Sequence, residues 1–105
     1  MMTRKAFKMF LNKDSEAEYK KRHDEIWPEL KDLLKDSGVA DYSIFLDEET
    51  GVLFGVLDCH DEINYQNLPL HPIMQKWWDY MKDLMQTNED NSPVSIALPE
   101  VFYLK

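Results

Sequence analysis

Val52-Leu53-Phe54-Gly55-Val56-Leu57-Asp58-Cys59 is the stretch on which the fold turns. Side chains alternate between the two faces of a strand, and both alternate sets stay apolar as far as Leu57. The segment therefore reads as a strand covered on both sides. Just upstream, Asp47-Glu48-Glu49-Thr50-Gly51 supplies turn residues, and before those Tyr42, Ile44 and Leu46 share one face of a strand from Asp41 to Asp47. The two runs form a hairpin whose second arm is central, and each face of that arm needs a cover.

Outward from the hairpin, Thr3 to Leu11 alternates again, with Phe7, Met9 and Leu11 on one side. Between this strand and the hairpin, Ser15-Glu16-Ala17-Glu18 matches a capping box. The helix it opens has an inward face of Tyr19, His23, Ile26 or Trp27, Leu30 and Leu33 or Leu34, and Gly38 is placed to end it. Pro28 interrupts that helix and predicts a kink or a restart near Trp27. Beyond the hairpin, Asp61 to Leu68 has room for a helical turn or two. A clearer helix opens at Pro72 and runs to about Met85, a turn-rich loop spans Asn88 to Pro93, and Leu98 to Leu104 closes as a last strand. Strand-helix-strand-strand-helix-strand is the split βαβ order, a ferredoxin-like α+β fold with a four-stranded antiparallel sheet and helices on one face. The other face is left bare, and a second copy laid sheet on sheet as a homodimer is expected to cover it.

Composition narrows the function. The chain has 105 residues, a length that fits one domain, 1–105. Its 12 Lys+Arg against 20 Asp+Glu give a net charge of −8, which argues against nucleic acid as a partner, because neutralising phosphates takes clustered cations. The basic runs Arg4-Lys5 and Lys20-Lys21-Arg22 read as solvated surface. Cys59 is the single cysteine, so no intramolecular disulfide forms, and a reducing cytoplasmic location fits best. No apolar run approaches a membrane span, and lysines break the N-terminal stretch where a secretory signal would be apolar.

Few residues offer chemistry. Cys59 and His60 point to opposite faces of a strand, no serine sits in a strand-turn-helix elbow, and no glycine-rich loop is present to cradle phosphate. His23, His60 and His71 are dispersed and form no short ligand pair, so no metal site is expected. His23 lies one helical turn after Tyr19 on a face that otherwise points at the core, so its ring needs hydrogen-bond partners. Pro28 lacks an N–H, which leaves the Asp24 carbonyl as a spare acceptor beside it. Trp77-Trp78 diverge by about 100° on a helix, one ring for the core and one more exposed. With Tyr19 and Tyr42 they could wall a pocket for a small polyhydroxylated ligand, whose C–H faces pack on indole and whose hydroxyls meet phenol and indole donors. An imidazole beside such a pocket brings proton transfer within reach.

Several segments together resemble the L-rhamnose mutarotases, nearly end to end. They are Arg4-Lys5-Ala6-Phe7, Tyr19 with Arg22-His23 and Ile26-Trp27-Pro28-Glu29-Leu30, Tyr42, Gln75-Lys76-Trp77-Trp78, Asp90-Asn91-Ser92-Pro93-Val94-Ser95 and Glu100-Val101-Phe102-Tyr103-Leu104. The resemblance implies a dimeric α+β barrel, interconversion of the α and β anomers of L-rhamnose and a cytoplasmic role in rhamnose use, a ring opening whose chemistry requires no cofactor. It also implies a histidine acid, which falls on His23, and sugar contacts on Tyr19, Tyr42, Trp77 and Trp78. Opening a hemiacetal needs a proton gained at the ring oxygen and one lost from the anomeric hydroxyl. His23 is assigned to the ring oxygen, while water, Tyr19 or a carboxylate remain open for the other. A non-catalytic barrel that binds a small ligand is the alternative from another class. A cofactor-independent oxygenase on the same plan is a third.

Overall fold

The computed structural model describes residues 2–105. Four strands, β1 (Thr3–Phe10), β2 (Val39–Leu46), β3 (Val52–Cys59) and β4 (Ile96–Leu98), form one antiparallel sheet in the order β2-β3-β1-β4. Four helices connect them: α1 (Glu16–Asp24), α2 (Pro28–Asp36), α3 (Glu62–Asn67) and α4 (Pro72–Met81). The strand predicted to be covered on both sides is central, paired to β1 and to β2. Among the described residues no helix is long and apolar enough to cross a membrane.

The register fixes the two faces. Met9 pairs with Leu53 and Phe7 with Gly55, while Ile44 and Leu46 of β2 meet the same two β3 residues. This face packs on Leu30 of α2 and on Trp77 and Met81 of α4 to make the core. Gly55 is required there, because a Cβ at this position would stand 2.6 Å from the Phe7 ring. The opposite face carries Phe10, Val52, Phe54 and Phe45, of which Phe45 is 62% exposed.

Several expected boundaries move, each for a local reason. Pro28 ends the first helix outright: α1 stops at Asp24, Trp27 is extended, and Pro28 occupies the first turn of α2. The capping box does not form. Ser15 makes no side-chain cap, and the Glu18 carboxylate accepts instead from Arg22 at 2.8 Å. The final helix ends at Met81 rather than Met85, because the chain turns there to run beside the end of β1, with Gln86 N–H donating to the Phe10 carbonyl and Asn12 N–H to that of Leu84. The last strand is Ile96–Leu98, not Leu98 to Leu104. Pro99 has no N–H for the ladder, and the apolar tail Val101-Phe102-Tyr103-Leu104 beyond it is exposed.

Candidate active site

Tyr19 and His23 sit one turn apart on α1, with ring centroids 4.3 Å apart. The His23 Nδ1 lies 3.0 Å from the Tyr19 carbonyl oxygen. A carbonyl only accepts, so Nδ1 carries the hydrogen and the neutral ring leaves its Nε2 lone pair bare. The acceptor is thus Tyr19, not the Asp24 carbonyl expected from the Pro28 gap. Burial pushes the His23 pKa below its ordinary value. It outweighs the Tyr19 carbonyl and the Asp24 charge, both of which favour the cation. At neutral pH the ring is therefore uncharged.

The five residues singled out in the sequence converge on one cavity of about 860 Å³ between sheet and helices, toward the upper end of the usual ~300–1,000 Å³ for small-molecule sites. Trp77 is buried and meets the His23 ring edge-on, with centroids 5.4 Å apart; Trp78 is half-buried, as the divergence of adjacent helical residues requires. Tyr42 comes from β2, where the pairing shifts between Ala40 and Ser43 and Asp41 takes a positive φ of 48°. Such an irregularity re-aims a side chain, and here Tyr42 meets the edge of Phe7 at 6.2 Å and lines the cavity.

Tyr42 leaves 38% of its surface exposed, yet desolvation of its hydroxyl raises its pKa strongly, as it does for buried Tyr19. Both phenols therefore stay protonated. The Tyr19 hydroxyl has no hydrogen-bond partner among the described residues, and no fully buried polar atom among them is unsatisfied, so this O–H opens onto the cavity. A second cavity of about 450 Å³ shares Tyr42 and Trp78 with the first and is lined further by Tyr65 and Leu68. An imidazole lone pair, two phenol donors and two indole faces around one apolar space suit a small ligand with many hydroxyls and some C–H surface.

Sequence reasoning missed two neighbours of this site. Trp27 packs edge-on against Trp77 at 5.1 Å and stacks near Tyr80 at 5.5 Å, so it backs the indole wall. Arg22, expected to be solvated with Lys20 and Lys21, keeps only 14% of its side chain exposed. The clue to Trp27 was its place before Pro28; nothing in the charge run distinguished Arg22. The other candidates stand apart. Cys59 is buried in the core of the sheet, His60 is exposed, and the His71 ring accepts from Ile73 N–H to cap α4.

A family profile described as L-rhamnose mutarotase matches residues 4–104. An L-rhamnose mutarotase of Brucella anthropi is 58% identical over 101 residues, covering 96% of this chain and 95% of its own. One of Formosa agariphila is 57% identical over 104 residues, covering 99% and 100%. The crystal structure of an L-rhamnose mutarotase from Formosa agariphila superposes with a TM-score of 0.91 at 55% identity, covering 98% of this chain and 99% of that one.

Proposed function

The chain belongs to the L-rhamnose mutarotase family and interconverts the α and β anomers of L-rhamnose, and from that premise we propose that His23 moves the proton while Tyr19, Tyr42, Trp77 and Trp78 hold the sugar. The observation that carries this is the division of labour between the two His23 nitrogens, one fixed by the Tyr19 carbonyl and the other left bare in a ring that lines the cavity.

Only the cation has a hydrogen on Nε2, and burial disfavours the cation. We therefore assign the resting imidazole the part of a base, in place of the ring-oxygen acid expected from the sequence. In the sequence of steps that follows, Nε2 takes the proton of the anomeric hydroxyl as the bond between C1 and the ring oxygen breaks. The ring oxygen takes a proton from a second donor, and a water held by the Tyr19 hydroxyl fits that part, since burial keeps the phenol itself protonated. Rotation about the bond next to the new carbonyl presents its other face. On reclosure the imidazolium returns its proton to the new anomeric oxygen, and the ring hydroxyl restores the second donor. The steps balance with no cofactor. A positioned base of this kind contributes ~10²–10⁴ in rate, and the Trp77 and Trp78 faces hold the sugar so that only C1 has to move.

The test is the pH dependence of kcat/KM, followed by exchange NMR between the two anomers. A neutral base gives a rate that rises with pH through a value below 6.5 and is flat at neutrality, since the His23 pKa is depressed. An imidazolium acid would give the mirror image, falling as pH rises through the same value, and that result would reverse the role assigned to His23.

The partner belongs to the same proposal. Phe45, Phe54 and Ile96 on the outer sheet face are 62%, 36% and 46% exposed, and the tail adds Phe102 at 77% and Leu104 at 79%. Large apolar side chains exposed on one sheet face suit an interaction site, and a second copy presents the same sheet to it in a twofold homodimer. Light scattering at micromolar concentration should give twice 12.5 kDa, and Phe45→Asp should give the single-chain mass. A wild-type species of 12.5 kDa would remove the dimer. We assign the reaction to the cytoplasm, a reducing compartment that suits a lone free thiol such as Cys59.

A further inference from the structure

The helix that carries Tyr19 and His23 is poorly anchored by its own composition. Of the nine residues of α1, Glu-Ala-Glu-Tyr-Lys-Lys-Arg-His-Asp, only Tyr19 is buried, whereas α2 lays Leu30, Leu33 and Leu34 along the core. Among the described residues, the Lys20–Asp24, Arg22–Glu18 and His23–Tyr19 hydrogen bonds all stay within α1. Every side-chain hydrogen bond among the described residues that leaves it comes from Arg22. The guanidinium donates through two nitrogens to the two carboxylate oxygens of Asp83, at 2.9 and 3.2 Å, and to the Tyr80 carbonyl at 2.6 Å. It also lies over the Tyr80 ring, 4.4 Å from the centroid. Tyr80 in turn packs on Trp77, the indole that meets His23.

We infer that the Arg22–Asp83 pair is a positioning clamp for the mutarotase reaction, holding α1 against the C-terminal end of α4 so that His23 keeps its place beside Trp77. A planar guanidinium meeting a carboxylate through two parallel N–H bonds fixes orientation as well as distance. It does so one residue from the reacting imidazole. Misplacing a catalytic group by about 1 Å can cost ~10²-fold, so an ion pair whose own contribution to stability is small has leverage on turnover. The inference rests on His23 being the group that moves the proton.

The test uses Arg22→Met and Asp83→Asn, with Asp83→Glu as the conservative replacement. Asp83 has 61% of its side chain exposed, so Asp83→Asn tests the clamp even if Arg22→Met fails to fold. Exchange NMR should show kcat down at least about tenfold in Asp83→Asn with KM changed far less, and recovery of most of it in Asp83→Glu. The acid limb of the pH profile should also move toward 6.5, because a loosened α1 admits water to His23. Lys82→Ala, which breaks the exposed Lys82–Asp79 pair next door, should change neither quantity. A merely structural pair would lower the melting temperature of Asp83→Asn and leave kcat and the pH limb where they were; that outcome overturns the inference. A wild-type profile with no limb below 6.5 would instead strike at the role of His23 itself.

Discussion

His23→Gln is expected to lose ~10²–10⁴ of kcat while the chain stays folded and binds L-rhamnose with nearly unchanged affinity. Glutamine keeps a polar group at the site, so the stacked Tyr19 ring is not left over an empty space. What it lacks is a nitrogen that gains and loses a proton near neutral pH. Exchange NMR on the variant, with circular dichroism to confirm the fold, separates these effects. Retained turnover would move the proton relay elsewhere in the cavity.

Stability adds an independent check on the same ring. The unfolded chain holds His23 at its ordinary pKa, about 6.5, and the folded chain holds it lower. Between those two values the unfolded state binds more protons, so stability rises with pH across that window and is lost as pH falls through it. His23→Gln removes this contribution, and its stability should be flatter with pH than that of the wild type in the same window.

The path from sequence to site was uneven, and the reasons are physical. The β3 run was decisive because its apolar residues fall on both faces, which marks a central strand; α2 and α4 cover one face, while Phe54 on the other is 36% exposed. Pro28 placed a kink or restart near Trp27, and the chain breaks there between Asp24 and Pro28, since the missing N–H and the restricted preceding residue act locally. The ends of elements were less legible. Whether residues 82–85 continue a helix depends on Gln86 N–H reaching the Phe10 carbonyl of β1 and on Asn12 N–H reaching the Leu84 carbonyl, contacts made across the fold. The failed capping box has the same origin: Glu18 is drawn to Arg22, and Arg22 is held by Asp83, 61 residues away. Arg22 reads as one more cation in a charged run until the return of the chain brings the Asp83 carboxylate beside it. Spacing along one helix put Tyr19 with His23 correctly, while the convergence of Tyr42 and Trp77 on them became certain only with the sheet register and the irregularity in β2.

Trp77→Ala has the largest expected effect on stability, and it tests whether the indole wall serves both core and ligand. Trp77 is 6% exposed and touches the His23, Trp27 and Tyr80 rings, so truncation removes a large buried side chain and leaves a void among aromatics. The expected cost is ~3–5 kcal/mol, a large share of the ~5–15 kcal/mol that holds a domain of this kind together. Urea denaturation measures it directly. That variant alone confounds folding with binding, so Trp77→Phe is the informative partner. Phenylalanine keeps an apolar ring at the site but gives up the indole N–H and part of the face offered to the sugar. Trp77→Phe should therefore remain folded with a small loss of stability, show a raised KM for L-rhamnose, and keep the pH profile of the wild type because His23 is still shielded. If instead KM is unchanged in Trp77→Phe and the whole defect of Trp77→Ala follows its lost stability, the indole is core and the sugar rests on Trp78 and the two tyrosines.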